Sequence, residues 1–161
     1  MIIRRLLPAD WQDYRTIRLE ALAQAPEAFG SVHAAEAARP LETFAERLTS
    51  STVMGAYVEG RIVGMAGYRR EGGFKDAHKG HVWGVFVAPG FRRHGVAQAL
   101  LSALIAAASQ EVEQLTLGVV AGIQSAIALY ERNGFKAYGV EPRALKSGSV
   151  YHDEILMIRL L

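Results

Sequence analysis

Residues 85–104 read VFVAPGFRRHGVAQALLSAL. A β-branched and aromatic strand ends at a proline, a basic turn that contains Gly95 follows, and an Ala/Leu helix begins after the turn. The backbone N–H groups of such a turn, together with the positive end of the helix dipole, can bind one anion. Gly95 lets a ligand approach the backbone closely, and the Arg-Arg-His sequence before it supplies positive charge. The stretch therefore predicts a phosphate-bearing ligand at a strand–helix junction.

The composition is that of one globular domain, which we expect to span residues 1–161. Apolar residues make up 50% of the chain and charged residues 21%, which argues against disorder. The formal net charge is only +2 and no Lys/Arg-rich tract occurs, so a nucleic-acid partner is not expected. Because the chain has no cysteine, disulfides, thiolate metal sites and cysteine nucleophiles are excluded.

The sequence predicts neither a targeting segment nor a membrane segment. The N-terminus carries its charges after its apolar residues, unlike a signal peptide. The most apolar stretch, residues 97–108, is interrupted by Gln98 and Ser102 and is shorter than the roughly 20 residues of a membrane helix. We therefore expect no membrane partner and a cytoplasmic location. The polar run at residues 151–154 has no second cluster at metal-ligand spacing, so no metal is expected either.

Hydrophobic periodicity and turn residues predict an α/β fold with a single mixed sheet of about seven strands flanked by helices. The predicted strands cover residues 2–7, 53–59, 61–69, 81–87, 115–120, 135–140 and 150–161. The predicted helices cover residues 11–23, 40–48, 93–110 and 125–133, with a loop or an irregular helical segment at 26–39. Asp10 is the expected N-cap of the first helix, and a polar segment containing Pro142 is expected to join the last two strands. Strands 81–87 and 115–120 are expected to be parallel, with a right-handed crossover.

A second motif lies downstream, where residues 125–135 read SAIALYERNGF. Tyr130 is placed late in a short helix, immediately before a turn that a glycine ends. A tyrosine at that position can direct its hydroxyl into a cleft and act as a proton donor. The alternative is a tyrosine that packs its ring in the core and satisfies its hydroxyl there.

In this order and at this spacing, the two motifs resemble those of the GNAT family of N-acetyltransferases. Residues 85–89 followed by Arg92-x-x-Gly95-x-Ala97 resemble the acetyl-coenzyme A signature of that family, and residues 129–135 resemble its second motif. The predicted order of strands and helices agrees along nearly all of the chain. The resemblance implies the acyl-CoA N-acyltransferase (GNAT) fold, with acetyl-CoA as the co-substrate.

The resemblance also implies a role for individual residues. The turn from Arg92 to Ala97 would hold the pyrophosphate on its backbone amides, the strand at Val85 and Val87 would bind the pantetheine arm and polarise the thioester, and Tyr130 would protonate the departing thiolate. The implied cofactor-binding residues are Val85, Phe86, Val87, Arg92, Arg93, His94, Gly95, Val96, Ala97 and Ser125. Many relatives have an asparagine three residues before the position of Ala126, but this chain has Ile123 there. Ser125 or Gln124 is then expected to cap the helix instead.

The reaction also needs a group that removes the proton of the acceptor ammonium. Many family members use a glutamate of the strand with the first motif, and a count back from Arg92 places His81 at that position. A histidine has a reference pKa near 6.5, which suits a base at neutral pH. The alternatives are a strand-end histidine bonded to a backbone carbonyl, or one exposed to solvent. His78 is the substitute candidate.

The sequence thus predicts an enzyme that moves the acetyl group of acetyl-CoA to a primary amine by direct attack. The alternative is a non-catalytic acyl-CoA binding or sensing module. The acceptor stays open among a small amine, an amino acid or antimetabolite, and a protein N-terminus. A homodimer is open as well, because the terminal strand 150–161 can close its own sheet or pair with a partner.

Overall fold

The computed structural model describes residues 1–161 and contains one seven-stranded sheet in the order β1-β2-β3-β4-β5-β7-β6. The strands are β1 (Ile2–Arg5), β2 (Thr52–Val58), β3 (Arg61–Arg70), β4 (Lys79–Val87), β5 (Gln114–Val120), β6 (Lys136–Ser147) and β7 (Val150–Leu160). Every neighbouring pair is antiparallel except β4 and β5, which are parallel. The predicted mixed sheet and its parallel central pair are therefore confirmed.

Five α-helices cover the sheet and divide the apolar interior into two cores. The helices are α1 (Trp11–Gln24), α2 (His33–Ala37), α3 (Glu42–Ser50), α4 (Val96–Ala108) and α5 (Gln124–Arg132). One core joins α1 and α3 to the sheet, with Tyr14 and Phe44 among its fully buried residues. The other core joins α4 and α5 to the sheet through residues such as Leu104 and Ile127. No helix has both the length and the apolar character needed to span a membrane.

Two predicted boundaries were wrong, each for a local reason, and the segment 26–39 contains short helical pieces, one of the two forms expected for it. Helix α4 begins at Val96 rather than residue 93, because Arg93 and Gly95 have φ values of 65° and 77°, outside the helical region. Strand β6 continues to Ser147 through the segment expected to be a connection. It does so by an irregular register between residues 141 and 145, in the edge strand of the sheet, where Pro142 is tolerated. Residues 33–37 form the short helix α2.

Asp10 is the N-cap residue of helix α1, as predicted, but its side chain makes no capping bond to the helix. Its carboxylate instead accepts hydrogen bonds from both terminal nitrogens of Arg4, each at 2.9 Å. It also accepts the backbone N–H of Leu7 at 2.8 Å. A charged donor is a stronger partner than a helix N–H group, so the carboxylate ties the first strand to the turn that follows it.

The parallel pair β4 and β5 stays together for only three residues. Lys79, Gly80 and His81 pair with residues 114–116, and the two strands separate beyond them. On the other side of β4, the register with β3 shifts between Met65 and Gly67, where Gly84 adopts a φ of 66°. An extra residue at such a β-bulge bends the strand and increases its twist. The centre of the sheet therefore opens toward the carboxyl ends of β4 and β5.

A buried carboxylate holds the helices on the α1 face together. Glu36 is 1% exposed and pairs with Arg18 at 3.4 Å, with Arg39 at 3.1 Å, and with Arg47 through a hydrogen bond. Burial alone would raise the pKa of Glu36, but the hydrogen bond and charge of Arg47, together with the charge of Arg18, lower it below its ordinary value. The ionised carboxylate thus joins α2 to α1 and α3.

We expect Glu36→Gln to lower the free energy of unfolding by on the order of 3 kcal/mol, because it leaves buried guanidinium groups without a counter-charge. Urea denaturation measures this, with the exposed Glu46→Gln on α3 as the control. Since the folded pKa of Glu36 is depressed, its contribution is complete above the ordinary glutamate pKa and is lost as the pH falls through the folded pKa. A difference between the two variants that does not shrink in that acidic range would contradict this.

Candidate active site

A cleft of about 830 Å³ occupies the opening between β4 and β5. Its walls are the second half of β4, the carboxyl half of β5, the N-terminal turns of α4 and α5, and residues 25–31. The cleft brings together all the predicted site residues except His94, whose side chain is exposed outside the lining. A ligand in this cleft lies at the carboxyl ends of parallel strands, where α/β folds commonly bind their ligands.

The turn before α4 forms a concave row of backbone donors. The N–H groups of residues 93–98 donate to no acceptor in the protein, and α4 has no side-chain cap. Left-handed φ values at Arg93 and Gly95 alternate with other conformations, a geometry that turns successive N–H groups toward one point. Nothing lies within 4 Å of the position where a Cβ atom would be at Gly95. The row faces open space and suits an anion with several acceptor oxygens.

Two side chains of the turn hold the turn itself. Arg92 donates from Nε to the carbonyl oxygen of Val87 at 2.9 Å and lies over the ring of Phe86, with its Cζ atom 5.8 Å from the ring centroid. The Nδ1 atom of His94 lies 2.7 Å from the carbonyl oxygen of Arg92. These contacts connect the turn to the end of β4, so the two side chains shape the row of donors as well as adding positive charge.

Tyr130 packs its ring in the core, as one interpretation expected, but leaves its hydroxyl free in the cleft, as the other required. Its ring is 9% exposed and packs edge-on against Phe135, with the centroids 5.9 Å apart. Its hydroxyl makes no hydrogen bond within the protein, although the residue lines the cleft. Burial raises the pKa of Tyr130 well above its ordinary value, so the hydroxyl keeps its proton throughout the physiological range. The cleft therefore contains a positioned proton donor that no protein group uses.

The start of α5 differs from the prediction. The helix begins at Gln124, Ile123 is the N-cap residue, and no side chain caps the helix. The Gln124 side chain instead donates to the carbonyl of Ala121 at 3.4 Å. Ser125 is already the second helical residue, too far along to act as the cap, and it lines the cleft. The N–H groups of residues 124 and 125 donate to no acceptor in the protein, which gives the cleft a second, smaller set of donors.

An amide pair that the sequence analysis did not predict joins the two helices of the cleft. Gln98 and Asn133 exchange hydrogen bonds, with distances of 2.7 Å and 2.9 Å. Asn133 is 6% exposed and also donates to the carbonyl of Leu129 at 2.8 Å. The pair connects the first turn of α4 to the end of α5, three residues after Tyr130. The sequence signal was weak, a single glutamine in an otherwise apolar helical stretch.

His81 lies on β4 ahead of the bulge and lines the cleft. Its Nδ1 atom is 3.4 Å from the hydroxyl oxygen of Thr116 on β5. The residue is exposed, as one of the alternatives expected. Partial desolvation by the surrounding protein lowers the pKa of His81, the charge of Glu71 opposes this, and the charge of Arg69 adds to it. The imidazole is therefore neutral at pH 7 and can accept a proton. The substitute candidate, His78, lines neither this cleft nor the smaller cavity beside it.

The cleft contains two carboxylates, Glu27 in the segment after α1 and Glu154 of β7. The second has a shifted pKa. Its carboxylate lies over Gly118 of β5, so close that a Cβ atom there would come within 2.6 Å of Oε2. Burial raises the pKa of Glu154, and the charge of Glu141 adds to this effect. No group of three or more His, Asp or Glu side chains is placed to bind a metal ion.

The chain belongs to the acetyltransferase (GNAT) family, whose model matches residues 8–135. Members of this family are enzymes that take an acetyl group from acetyl-CoA as co-substrate, and the donor row and cleft described above fit that molecule. No match is found among curated proteins.

Solved structures agree along the whole chain. A ribosomal-protein-alanine N-acetyltransferase from Brucella melitensis is 26% identical, with 100% of both chains covered and a TM-score of 0.86. The yncA protein of Salmonella typhimurium, solved with its cofactor acetyl-CoA, is 21% identical over 100% of this chain and 94% of its own, with a TM-score of 0.84. A phosphinothricin acetyltransferase from Sinorhizobium meliloti in complex with acetyl-CoA is 20% identical over 99% of this chain and 88% of its own, with a TM-score of 0.85. The likenesses at 21% and 20% identity show the fold.

We expect Gly95→Glu to abolish acetyl-CoA binding, because the carboxylate would enter the space that the donor row faces and repel a pyrophosphate. Isothermal titration calorimetry measures the affinity. Two controls separate charge from backbone strain. Gly95→Ala introduces the same positive-φ strain without a charge, and Gly90→Glu introduces the charge in open space outside the cleft lining. Equal affinity of Gly95→Glu and Gly95→Ala would show that the row does not bind the anion.

Proposed function

We propose that the protein transfers the acetyl group of acetyl-CoA to a primary amine by direct attack, with Tyr130 as the general acid. The observation that carries this proposal is the unpartnered hydroxyl of Tyr130 in the same cleft as the unpartnered donor row of residues 93–98. An anion site and a protonated acid that both face one cleft suit the removal of a thiolate leaving group.

The proposed placement of acetyl-CoA follows the donors. The row at residues 93–98 would bind the pyrophosphate, and the hydroxyl and N–H of Ser125 would lie beside the next part of the molecule. The pantetheine arm would extend along the free edge of β4 at Val85 and Val87, like an added strand. Acetyl-CoA supplies an activated acyl carbon as a thioester. A backbone N–H group of the β4 bulge would donate to the thioester oxygen as negative charge develops there.

The proton and electron balance of the transfer is simple. The amine lone pair forms the new C–N bond, the C–S bond breaks, and the Tyr130 hydroxyl donates its proton to the sulfur. The new amide nitrogen loses its extra proton, which returns to the Tyr130 oxygen directly or through water. We propose that His81 accepts the proton that the acceptor ammonium loses. A neutral imidazole beside the cleft can do this directly or through one water molecule. Absence of cysteine is consistent with a route that has no covalent enzyme intermediate.

The competing proposal is a non-catalytic module that binds or senses acyl-CoA. It predicts coenzyme A binding without turnover, but it gives no role to the Tyr130 hydroxyl, which faces the cleft without a partner in the protein. The names of similar structures refer to different acceptors, a ribosomal-protein alanine and phosphinothricin, so they do not select one for this chain. Strand β6 is the edge of the sheet and carries the exposed side chains of Tyr138 and Val140, which supports the homodimer as a further proposal.

We expect Tyr130→Phe to lower kcat by on the order of 10²-fold or more with little change in acetyl-CoA affinity, because it removes only the proton donor. Steady-state kinetics by thiol release measures kcat, and calorimetry measures the affinity. Tyr138→Phe, an exposed tyrosine on β6, is the matched control and should keep the wild-type rate. An unchanged kcat in Tyr130→Phe would remove this residue from the mechanism.

We expect His81→Gln to lower kcat/KM by roughly 10²-fold at neutral pH, since the base is lost. In the wild type, kcat/KM should fall at acidic pH as His81 becomes protonated. The midpoint of this fall should lie below the ordinary histidine pKa, because the pKa of His81 is depressed. The pH dependence of kcat/KM measures this fall, which should vanish in His81→Gln. Glu154→Gln is the parallel variant, and a fall that vanishes there instead would assign the base to Glu154.

A further inference from the structure

A second cavity, of about 280 Å³, adjoins the cleft and differs from it in character. It is lined by Arg18, Arg47, Ser50, Ser51, Arg69, His81 and Trp83. Three of these residues are arginines, and none is acidic. Arg18, His81 and Trp83 line both the cavity and the cleft, so the two spaces are continuous beside β4. We call this space the basic cavity.

The positive charge of the basic cavity is only partly compensated within the protein. Glu36 is the one acidic partner of Arg18 and Arg47, and Arg39 shares the same carboxylate. One negative charge therefore faces three positive charges. Arg69 forms no salt bridge at all. Glu71 acts on His81 electrostatically but does not line the cavity. The cavity has a surplus of guanidinium charge in a confined space.

One arginine of the cavity, Arg18, is held in place, whereas Arg69 is exposed at the end of β3. The side chain of Arg18 is 9% exposed, donates to the hydroxyl of Ser31 at 3.1 Å, and lies against the rings of Phe29 and Trp83. The Arg18 Nη1 atom points along β4, 4.0 Å from where a Cβ atom would be at Gly84 in the bulge. A guanidinium fixed in this way loses little conformational entropy when it binds an anion.

The basic cavity lies close enough to the proposed position of the thioester for one small acceptor to reach both. The thioester of the proposed complex lies at the β4 bulge, and the basic cavity begins at His81, three residues earlier on the same strand. Three strand residues correspond to roughly 10 Å. An acceptor whose amine reaches the bulge therefore extends its other end into the cavity. The indole of Trp83 packs closely against Gly67, where an added Cβ atom would come within 3.0 Å of the ring. Trp83 lines both the cleft and the basic cavity and lies between them.

We infer that the acceptor is an anionic amine, a small molecule that carries a carboxylate or a phosphate within about 10 Å of its amino group. Its anion binds Arg69 together with the free donors of Arg18 and Arg47, and its amine lies at the β4 bulge, on the side of the cleft that His81 lines. Guanidinium groups bind both anions through paired hydrogen bonds, so the shared chemistry is an oxyanion. The inference rests on the proposed acetyl transfer, and it narrows the acceptor class that the sequence left open.

Matched pairs of amines test the inference. Leucine, γ-aminobutyrate and phosphoethanolamine are compared with isoamylamine, propylamine and ethanolamine, which lack only the anion. We expect the best anionic member to exceed its neutral partner by on the order of 10²-fold in kcat/KM, the range of charge-assisted hydrogen bonds. The carboxylate and phosphate members separate the two anions. Neutral partners that react as well as the anionic members would overturn the inference and leave the proposed transfer intact.

Arg69→Gln tests the site within the same panel. It removes the arginine that has no ion pair, so the cluster at Glu36 stays whole and the protein should fold. We expect the ratio of anionic to neutral kcat/KM to fall by about 10-fold or more. Arg61→Gln, an exposed arginine on the same strand outside both spaces, is the control and should keep the ratio. An unchanged ratio in Arg69→Gln would overturn the assignment of the anion to this cavity.

A binding measurement keeps the two proposals distinguishable. Calorimetry of the anionic amines, with coenzyme A at saturation, measures their affinity for the basic cavity in the absence of turnover. Binding that weakens in Arg69→Gln, in a protein that acetylates none of the six amines, would support the anion site and refute the proposed transfer for this class. Absence of both binding and turnover with anionic amines, in a protein that still binds acetyl-CoA, would refute the inference.

Discussion

The separation of β4 from β5 after three paired residues is the constraint on which the rest of the site depends. A parallel pair normally satisfies its backbone along its whole length, and here the second half of β4 has no partner on one side. The bulge at Gly84 bends the strand away, and the free edge becomes a wall of the cleft. The same opening directs the N-termini of α4 and α5 toward one space. The unsatisfied groups of two helices and one strand thus face a single cleft.

Alignment of the two helices depends on a contact between distant parts of the chain. The Gln98–Asn133 pair fixes the first turn of α4 against the end of α5, and Arg159 of β7 donates to the carbonyl of Asn133. Tyr130 and the donor row are therefore parts of one connected unit, although 32 residues separate Gln98 from Tyr130 in sequence. Of the two residues, Asn133 is buried, so separating the pair would deprive its amide of a partner in a place that water reaches poorly. This favours a fixed distance between anion site and acid.

Much of this arrangement could be predicted from the sequence, because its signals are local. Strand periodicity, the proline after β4 and the glycine of the turn identify the sheet and the helix start within a few residues, and they mark the turn whose backbone donors are free. The predictions that failed concerned residues whose conformation depends on which of several possible partners they bind. The side chain of Asp10 is bonded to Arg4 instead of capping α1, and the strand β6 passes through Pro142 because it is an edge strand. The amide pair and the Glu36 cluster join residues remote in sequence, and no local pattern marks them.

Glu36 shows how one residue can serve stability and recognition together. A buried carboxylate with a single arginine would leave a neutral site, but three arginines around it leave surplus positive charge. Two of those arginines, Arg18 and Arg47, face the basic cavity, where their remaining donors meet the unpaired Arg69. The carboxylate offsets the repulsion that would otherwise separate three cations, and it does so from the side away from the cavity. Stability of the α1 face and the charge offered to an acceptor therefore arise from the same cluster.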